Sequence, residues 1–451
     1  MRFIHTADWH LGNTMHDIDR TRETGAFLDW LKTEIATVGA EVLVIAGDVF
    51  DVVNPSNIAK KQYYRFLASL LQTKCSNVVV IGGNHDSGSL LDAPAEILEA
   101  LNIKVVGSIN NRSIEDLVVE LKNSDGQVIG ICCAVPFMRD MELEQFYKSS
   151  AGGSSGNENG DEYGANDEDL LKRLYADVYR RAVELRGERN IPIVATGHLY
   201  ASNLSGRDSE SVAPGTAENK ALPENSANAL LPENAVDDGV REVIGTLGNV
   251  DVTTFPNELD YVALGHIHYT SMVAKNPKVR YSGSPFVMGF DEAKCKRYVL
   301  MVNVKPNAVP EVDKIEVPRA MRFEQFKGDL ETLKRNLRNL ETELLLNPME
   351  TYVDLLLTSG NFVSLNDALE AEETGKHFVV KRHRISRDIL RGANNFDDRV
   401  ESTKQYTKED YFRMLIASNA KENEDDDVVK NQYDKFISLF NEAVAKAHEN
   451  A

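Results

Sequence analysis

Four short apolar runs in this chain end in the same way. Glu41–Asp48 (EVLVIAGD), Asn77–Asn84 (NVVVIGGN), Ile191–His198 (IPIVATGH) and Tyr261–His268 (YVALGHIH) each close on Gly followed by Asp, Asn or His. Runs of this length, rich in β-branched residues and stopped by Gly, read as buried strands. Helical patterns lie between them at Thr21–Val38, Ile58–Thr73, Ala93–Leu101 and Asp169–Arg186. In the last, Leu170, Leu174, Val178 and Leu185 fall near one face and charges fill the other. Strands alternating with helices predict an α/β layered domain. In open α/β sheets the loops at the carboxyl ends of strands converge on one crevice. With Asp8-Trp9-His10 after the first strand, that convergence would gather Asp8, Asp48, Asn84, His10, His85, His198, His266 and His268.

These residue types have a shared chemistry. Carboxylate, amide oxygen and imidazole without thiolate suit Mn²⁺, Fe²⁺ or Mg²⁺-like ions that keep some of their waters. Asp8 and His10, like His266 and His268, are alternate residues, which project to one side if the backbone there is extended. The glycine ahead of each ligand is expected to let the loop turn sharply. Two ions with a shared carboxylate would use this many donors. A pair about 4 Å apart clamps the attacking and leaving oxygens of a phosphoryl displacement and acidifies water. His5, His16, His377, His383 and His448 follow no strand–Gly break and read as ordinary structural or surface residues.

The ordered set D-x-H, G-D-x-x-D, G-N-H-D, G-H and G-H-x-H resembles that of the calcineurin-like metallophosphoesterases. It is carried by Asp8-Trp9-His10, Gly47-Asp48 with Asp51, Gly83-Asn84-His85-Asp86, Gly197-His198 and Gly265-His266-Ile267-His268. Within that superfamily the chain is similar to the double-strand-break-repair nucleases over residues 1–318, including Arg280-Tyr-Ser-Gly-Ser-Pro285. The resemblance implies a two-sheet α/β sandwich core, a small α+β capping domain and C-terminal helices. It assigns one metal to Asp8, His10, Asp48 and His268, and a second to Asp48, Asn84, His198 and His266. His85 would stand beside the scissile phosphate and help protonate the leaving oxygen. Asp86 would either orient His85 or cap its turn. It also implies two Mn²⁺ ions (Mg²⁺ or Fe²⁺ being alternatives) and cleavage of DNA as a 3′→5′ exonuclease and a single-strand or hairpin endonuclease. The implied partner is an SbcC-type coiled-coil ABC ATPase, with a homodimer of this chain inside a heterotetramer. Asp51 stands where archaeal and eukaryotic relatives carry a His, so the phosphate-orienting role of that His does not transfer.

Composition bounds the rest. The 451 residues carry a net charge of −20, which disfavours wholesale nucleic-acid binding unless basic residues are concentrated or a partner supplies them. One basic stretch exists: Lys376, Lys381, Arg382, Arg384, Arg387 and Arg391 surround only Asp388, and Lys381, Arg382, Arg384 and Arg387 are the DNA-contact candidates. Cys75, Cys132, Cys133 and Cys295 form no C-x-x-C pair and read as reduced thiols. The longest apolar runs fall short of the roughly 18 residues that span a bilayer, and no signal-peptide core precedes Asp8. A cytoplasmic protein with no membrane association is expected.

The domain reading is 1–318 for the nuclease core, 319–393 for the cap and 394–451 for a helix pair that docks on the partner. Segments 149–169 and 201–239 read as surface insertions. The cap is expected as a long helix at about Arg322–Leu346, a strand at Thr351–Thr358, a short helix at Ser364–Glu373 and a strand at His377–Ile385. In the tail, Tyr411, Phe412, Leu415 and Ile416 form one apolar stripe, and Tyr433, Phe436, Ile437, Phe440 and Val444 another. Another calcineurin-like phosphodiesterase or phosphatase acting on a non-DNA substrate is the rival reading, and a scaffold with a decayed site a weaker one because no ligand type is missing.

Overall fold

The computed structural model describes residues 1–150, 167–202, 250–359, 369, 372 and 376–386. All of the insertion 201–239 beyond Ala201–Ser202, most of 149–169, nearly all of the short helix expected at Ser364–Glu373, Arg387 and the tail stripes lie outside the described residues.

Strands buried along their whole length build a double-layered sheet core. In the first six-stranded sheet, Arg2–Thr6, Val42–Ala46, Asn77–Ile81 and Ile103–Val106 run parallel, and Tyr298–Asn303 and Glu311–Glu316 close one side antiparallel. The second places Val128–Cys133, Ile193–His198, Tyr261–Gly265 and Val279–Tyr281 in parallel, with Val118–Lys122 and Ser271–Met272 at its edges. Strands buried on both faces need no polar alternation, which is why they appear as unbroken apolar runs. Ile4, Leu43, Ile45, Val78 and Val80 pack outward on Phe27, Leu31 and Ile35 of the helix Thr21–Val38 and on Tyr63, Phe66 and Leu70 of the helix Asn57–Leu70. Phe3, Val42, Val44, Val79 and Ile81 face the other way and share a core with Ile131, Val194 and Tyr261 of the second sheet. That core extends to Leu171, Leu174 and Val178 of the helix Asp167–Arg186. The Phe3 and Tyr261 rings meet edge to face at 5.5 Å. His5 joins the sheets in the same place, with Nδ1 3.0 Å from the Tyr261 hydroxyl and Nε2 3.2 Å from the Leu264 carbonyl, a structural role.

The expected long helix at Arg322–Leu346 divides into a strand, Arg322–Gly328, and a helix, Leu330–Leu346. Asp329 makes the break: its Oδ1 accepts the Thr332 N–H at 2.8 Å, an N-cap that starts the helix there. The residues before it pair in parallel with Thr351–Leu357, which pairs in turn with Phe378–Ile385. Only the later half carries the spacing Leu333, Leu337, Leu340 and Leu344, which packs on Val353, Leu355 and Leu357. The helix expected at Ala93–Leu101 is present in shortened form as Ala95–Glu99, and Pro94 at its N-cap separates it from a short preceding helix, Gly88–Asp92. Residues 1–386 form one compact unit. Within it the small sheet meets the core through Met15, Ile18, Val287, Phe290, Met321 and Phe323. No helix among the described residues is long and apolar enough to cross a membrane.

Candidate metal centre

The ligand-type residues sit where the parallel strands of both sheets end. Asp8, His10, Asp48 and Asn84 follow strands of the first sheet, and His198, His266 and His268 end or follow strands of the second. The backbone at Asp8 and His10 is not extended as expected. Asp8, His10, Asp48 and His266 have φ of 55°, 44°, 51° and 96°, left-handed values that cost non-glycine residues about 1–3 kcal/mol each. Asp and His tolerate this region better than most residues. Trp9 shows what holds the bend. Its indole is fully buried outside the first sheet, edge-on to Phe27 and Phe66, and its Nε1–H donates to Thr6 Oγ1 at 2.9 Å. The Asp8 N–H donates to Gly47 O and the His10 N–H to Asp48 O, each at 3.0 Å, which locks the first two ligand loops together.

The glycines act differently from expectation. Gly47 alone of the four preceding Asp48, Asn84, His198 and His266 has a left-handed φ, 88°. A Cβ on Gly83 would collide with the Asp48 carboxylate and amide, and one on Gly265 with the Ala46 carbonyl. Their job is close approach of neighbouring loops, not turning. Gly83→Ala is therefore expected to displace Asp48, to cost about 1–3 kcal/mol by overpacking, and to abolish any rise in melting temperature on adding divalent ions. Melting curves with and without Mn²⁺ check this; a wild-type ion response would contradict it.

Two groups of donors share the Asp8 carboxylate. Donor atoms of Asp8, His10 and His268 lie within 4.8 Å of one another, as do those of Asp8, Asp48 and His198. Asp48 Oδ2 stands 3.6 Å from His10 Nε2 and 3.3 Å from His198 Nε2, between the two groups. Asn84 Oδ1 stands 3.0 Å from both His198 Nε2 and His266 Nδ1. His10 Nε2 and His268 Nε2 face each other at 3.2 Å. His198 Nδ1–H donates to the Ala46 carbonyl at 2.9 Å, which turns Nε2 inward as ligating imidazoles require. Asp8 Oδ1 accepts the His266 N–H at 2.9 Å, while the buried Oδ2 has no hydrogen-bond partner. A buried carboxylate oxygen without a donor, amid imidazole nitrogens that face one another, fits divalent cations.

The charges balance around Asp48. Burial would raise its carboxyl, but His198 and His10 outweigh burial and hold it well below the usual range. Burial would lower His198, yet Asp48 and Asp8 push it up to about 9. Asp8 is pushed up to about 6, by burial and then by the neighbouring Asp48 charge. Burial pulls His266 down to about 4 and His268 to about 3, with His198 and His10 respectively adding to it, so both are neutral donors at neutral pH.

His85 is exposed at the edge of this cluster, its ring edge-on to His10 at 4.8 Å. Its Nδ1–H donates to the Asp51 carbonyl at 2.7 Å, so the ring's other nitrogen, Nε2, is the one not committed to the backbone. Of the two readings left open for Asp86, its hydrogen bonds agree with a backbone-capping carboxylate and not with one that orients His85. The Asp86 carboxylate accepts the backbone N–H groups of Gly83, Val49 and Phe50 at 2.9, 3.1 and 2.9 Å, and so ties the Asp48 loop to the Asn84 loop. It is 8% exposed, and burial, then Asp48, raises its carboxyl to about 6. Nothing in the sequence distinguishes this anchor from an orienting carboxylate, because both readings place an Asp two residues after Asn84.

The basic candidates divide. Arg384 is committed inside the chain: its Nε donates to Asp354 Oδ1 at 3.1 Å and its Nη2 to Oδ2, and Asp354 is fully buried. A buried carboxylate needs such a partner, so the role of Arg384 shifts from DNA contact to holding the small sheet. Arg382 Nη1 meets His16 Nε2 at 2.8 Å, and Lys381 lies 5.8 Å from the Tyr352 ring centroid.

Comparison with known proteins agrees with this geometry. The family model for calcineurin-like phosphoesterases matches residues 1–270. The chain is 33% identical over 426 residues to the SbcD subunit of the SbcCD nuclease of Escherichia coli K12, covering 92% of this chain and 93% of that protein. It is 30% identical to the protein of the same name from Rhodobacter capsulatus (69% and 68% covered), and 27% identical to that from Bacillus subtilis (68% and 67% covered). The donor geometry, the family match and the near full-length Escherichia coli relative converge: the chain belongs to the calcineurin-like phosphoesterases, within the family of SbcD nuclease subunits.

Proposed function

We propose that this chain is a metal-dependent DNA nuclease that hydrolyses phosphodiesters in duplex DNA as a 3′→5′ exonuclease and nicks single strands and hairpins. The observation that carries the reading is the pair of donor groups that share Asp8, with Asp48 Oδ2 close to a histidine of each, in a chain whose relatives are named nuclease subunits. Asp8, His10, Asp48 and His268 would hold one ion, and Asp48, Asn84, His198 and His266 the other, with Mn²⁺ the favoured metal. Bound there, the two ions would polarise the phosphate and lower the pKa of water. The protein's own part is geometric and acid–base. The left-handed loops fix the donors in advance, Asp86 ties two of those loops together, and His85 Nε2 delivers a proton to the departing oxygen. An SbcC-type coiled-coil ABC ATPase is the proposed partner; it would supply the positive surface that a chain of net charge −20 lacks.

In the proposed division, residues 1–318 cut, 319–393 cap the site with Lys381, Arg382 and Arg387 facing phosphates, and 394–451 dock on the partner. A homodimer within a heterotetramer completes the proposal. With Mn²⁺, the purified chain is expected to shorten linear duplex DNA and to leave a small aryl phosphomonoester intact. Turnover of the monoester with intact DNA would overturn the reading in favour of a phosphatase.

A further inference from the structure

Asp51 touches both halves of the chemistry, the metal-binding donors and the proton-delivering histidine. Its Oδ1 lies 3.3 Å from His10 Nδ1 and accepts the Asn13 Nδ2–H at 3.0 Å. Its carbonyl oxygen accepts His85 Nδ1–H at 2.7 Å. His10 is 2% exposed and its Nδ1, which faces away from the donor cluster, makes no close hydrogen bond; the acceptor it faces is the Asp51 carboxylate, 3.3 Å away. With the Nδ1 proton directed to Asp51, Nε2 presents its lone pair toward Asp48 Oδ2 and His268 Nε2. The support continues outward. Asn13 Oδ1 is 3.5 Å from Arg20 Nη1, and that guanidinium is itself fixed by Val287 O at 2.7 Å. It lies 5.3 Å from the Phe286 ring centroid and 5.4 Å from that of Phe323, at the seam with the small sheet.

We infer that Asp51 is a positioning residue that sets the ring of His10 through its carboxylate and the ring of His85 through its carbonyl, with Asn13 and Arg20 holding it in place. This rests on the nuclease reading and adds to it a single loop residue that keeps one metal-binding ring and the proton-delivering ring in register. Losing an outer partner of a metal-ligating imidazole typically weakens ion binding by about 10–100-fold. The carbonyl survives every side-chain substitution, so the carboxylate's share can be isolated.

The test is calorimetric titration of the full metal-free chain with Mn²⁺, beside DNA cleavage and melting curves. The wild type should bind two ions. In Asp51→Ala one of the two should weaken by about 10–100-fold and the other hold. Asp51→Asn retains an acceptor oxygen for His10 and should restore most of the lost affinity. Asn13→Ala should weaken the same ion by a smaller factor; it carries the test if Asp51→Ala does not fold. Wild-type affinity for both ions in Asp51→Ala or Asn13→Ala overturns the inference and leaves the nuclease reading standing. Equal loss in Asp51→Asn and Asp51→Ala also overturns it, since charge rather than the hydrogen bond would then be the cause. Three ions in the wild type, one of them lost in Asp51→Ala, overturns it by making Asp51 a ligand. A wild type that binds no divalent ion removes the nuclease reading as well.

Discussion

Asp48→Asn should leave a folded protein that no longer holds either ion tightly. Asparagine is the informative substitution because Asp48 has a φ of 51°, a region Asn enters readily, whereas Ala would add backbone strain. An amide also keeps an oxygen to accept the His85 N–H, which Asp48 Oδ1 takes at 2.9 Å. What is lost is the negative charge between His10 and His198 and the second oxygen that faces both. Each ion's affinity should fall by at least the ~10–100-fold that follows from losing even an outer hydrogen-bond partner of a ligand. Ion-dependent stabilisation, about 2.7 kcal/mol when the free ion stands at a hundred times its dissociation constant, should vanish. DNA cleavage should stop. Titration with Mn²⁺ followed by calorimetry or spin resonance reads the outcome, and two ions bound with wild-type affinity would refute the shared carboxylate.

The second large effect separates binding from reaction. His85→Ala is expected to lower the rate of DNA cleavage by about 10²–10⁴, the usual contribution of a positioned general acid or base, with both ions still bound. The geometry requires this split. His85 is exposed, and its imidazole donates to a backbone carbonyl, so truncation takes no hydrogen bond from the buried donor atoms. It does remove the edge-on contact with the His10 ring, a loss too small to empty a site held by so many other donors. A variant that fails to retain Mn²⁺ would show that His85 is a ligand.

Much of the layered core is legible in the chain because its strands are buried on both faces. Val42–Ala46, Asn77–Ile81, Ile193–His198 and Tyr261–Gly265 fall inside the four apolar runs. Helix Thr21–Val38 coincides with its periodic pattern. Edge strands such as Val118–Lys122, half-exposed on one side, carry no such signature. The small sheet departs from expectation at Arg322–Gly328, where Phe323 and Phe326 stand three residues apart among polar residues, a helix-like spacing that conceals a strand. At the site, residue types and strand ends identify which side chains meet. They do not reveal how the backbone delivers them. Left-handed turns at Asp8 and His10 depend on Trp9 being captured by helices that follow later in the chain, and the need for Gly83 and Gly265 arises only when loops of distant sequence touch. The role of Asp51 is hidden for a similar reason, since its partners are His10, Asn13 and a carbonyl-bonded His85.

The division of the donors between two sheets bears on biosynthesis. A nascent polypeptide that has left the ribosome only as far as Asn84 offers Asp8, His10, Asp48 and Asn84, and lacks His198, His266 and His268. Even Arg2–Thr6, the strand that leads into Asp8, gains its antiparallel neighbour only when Tyr298–Asn303 has been made. Translation must therefore pass His268 before the full donor set exists, and pass Asn303 before the first strand has both of its neighbours.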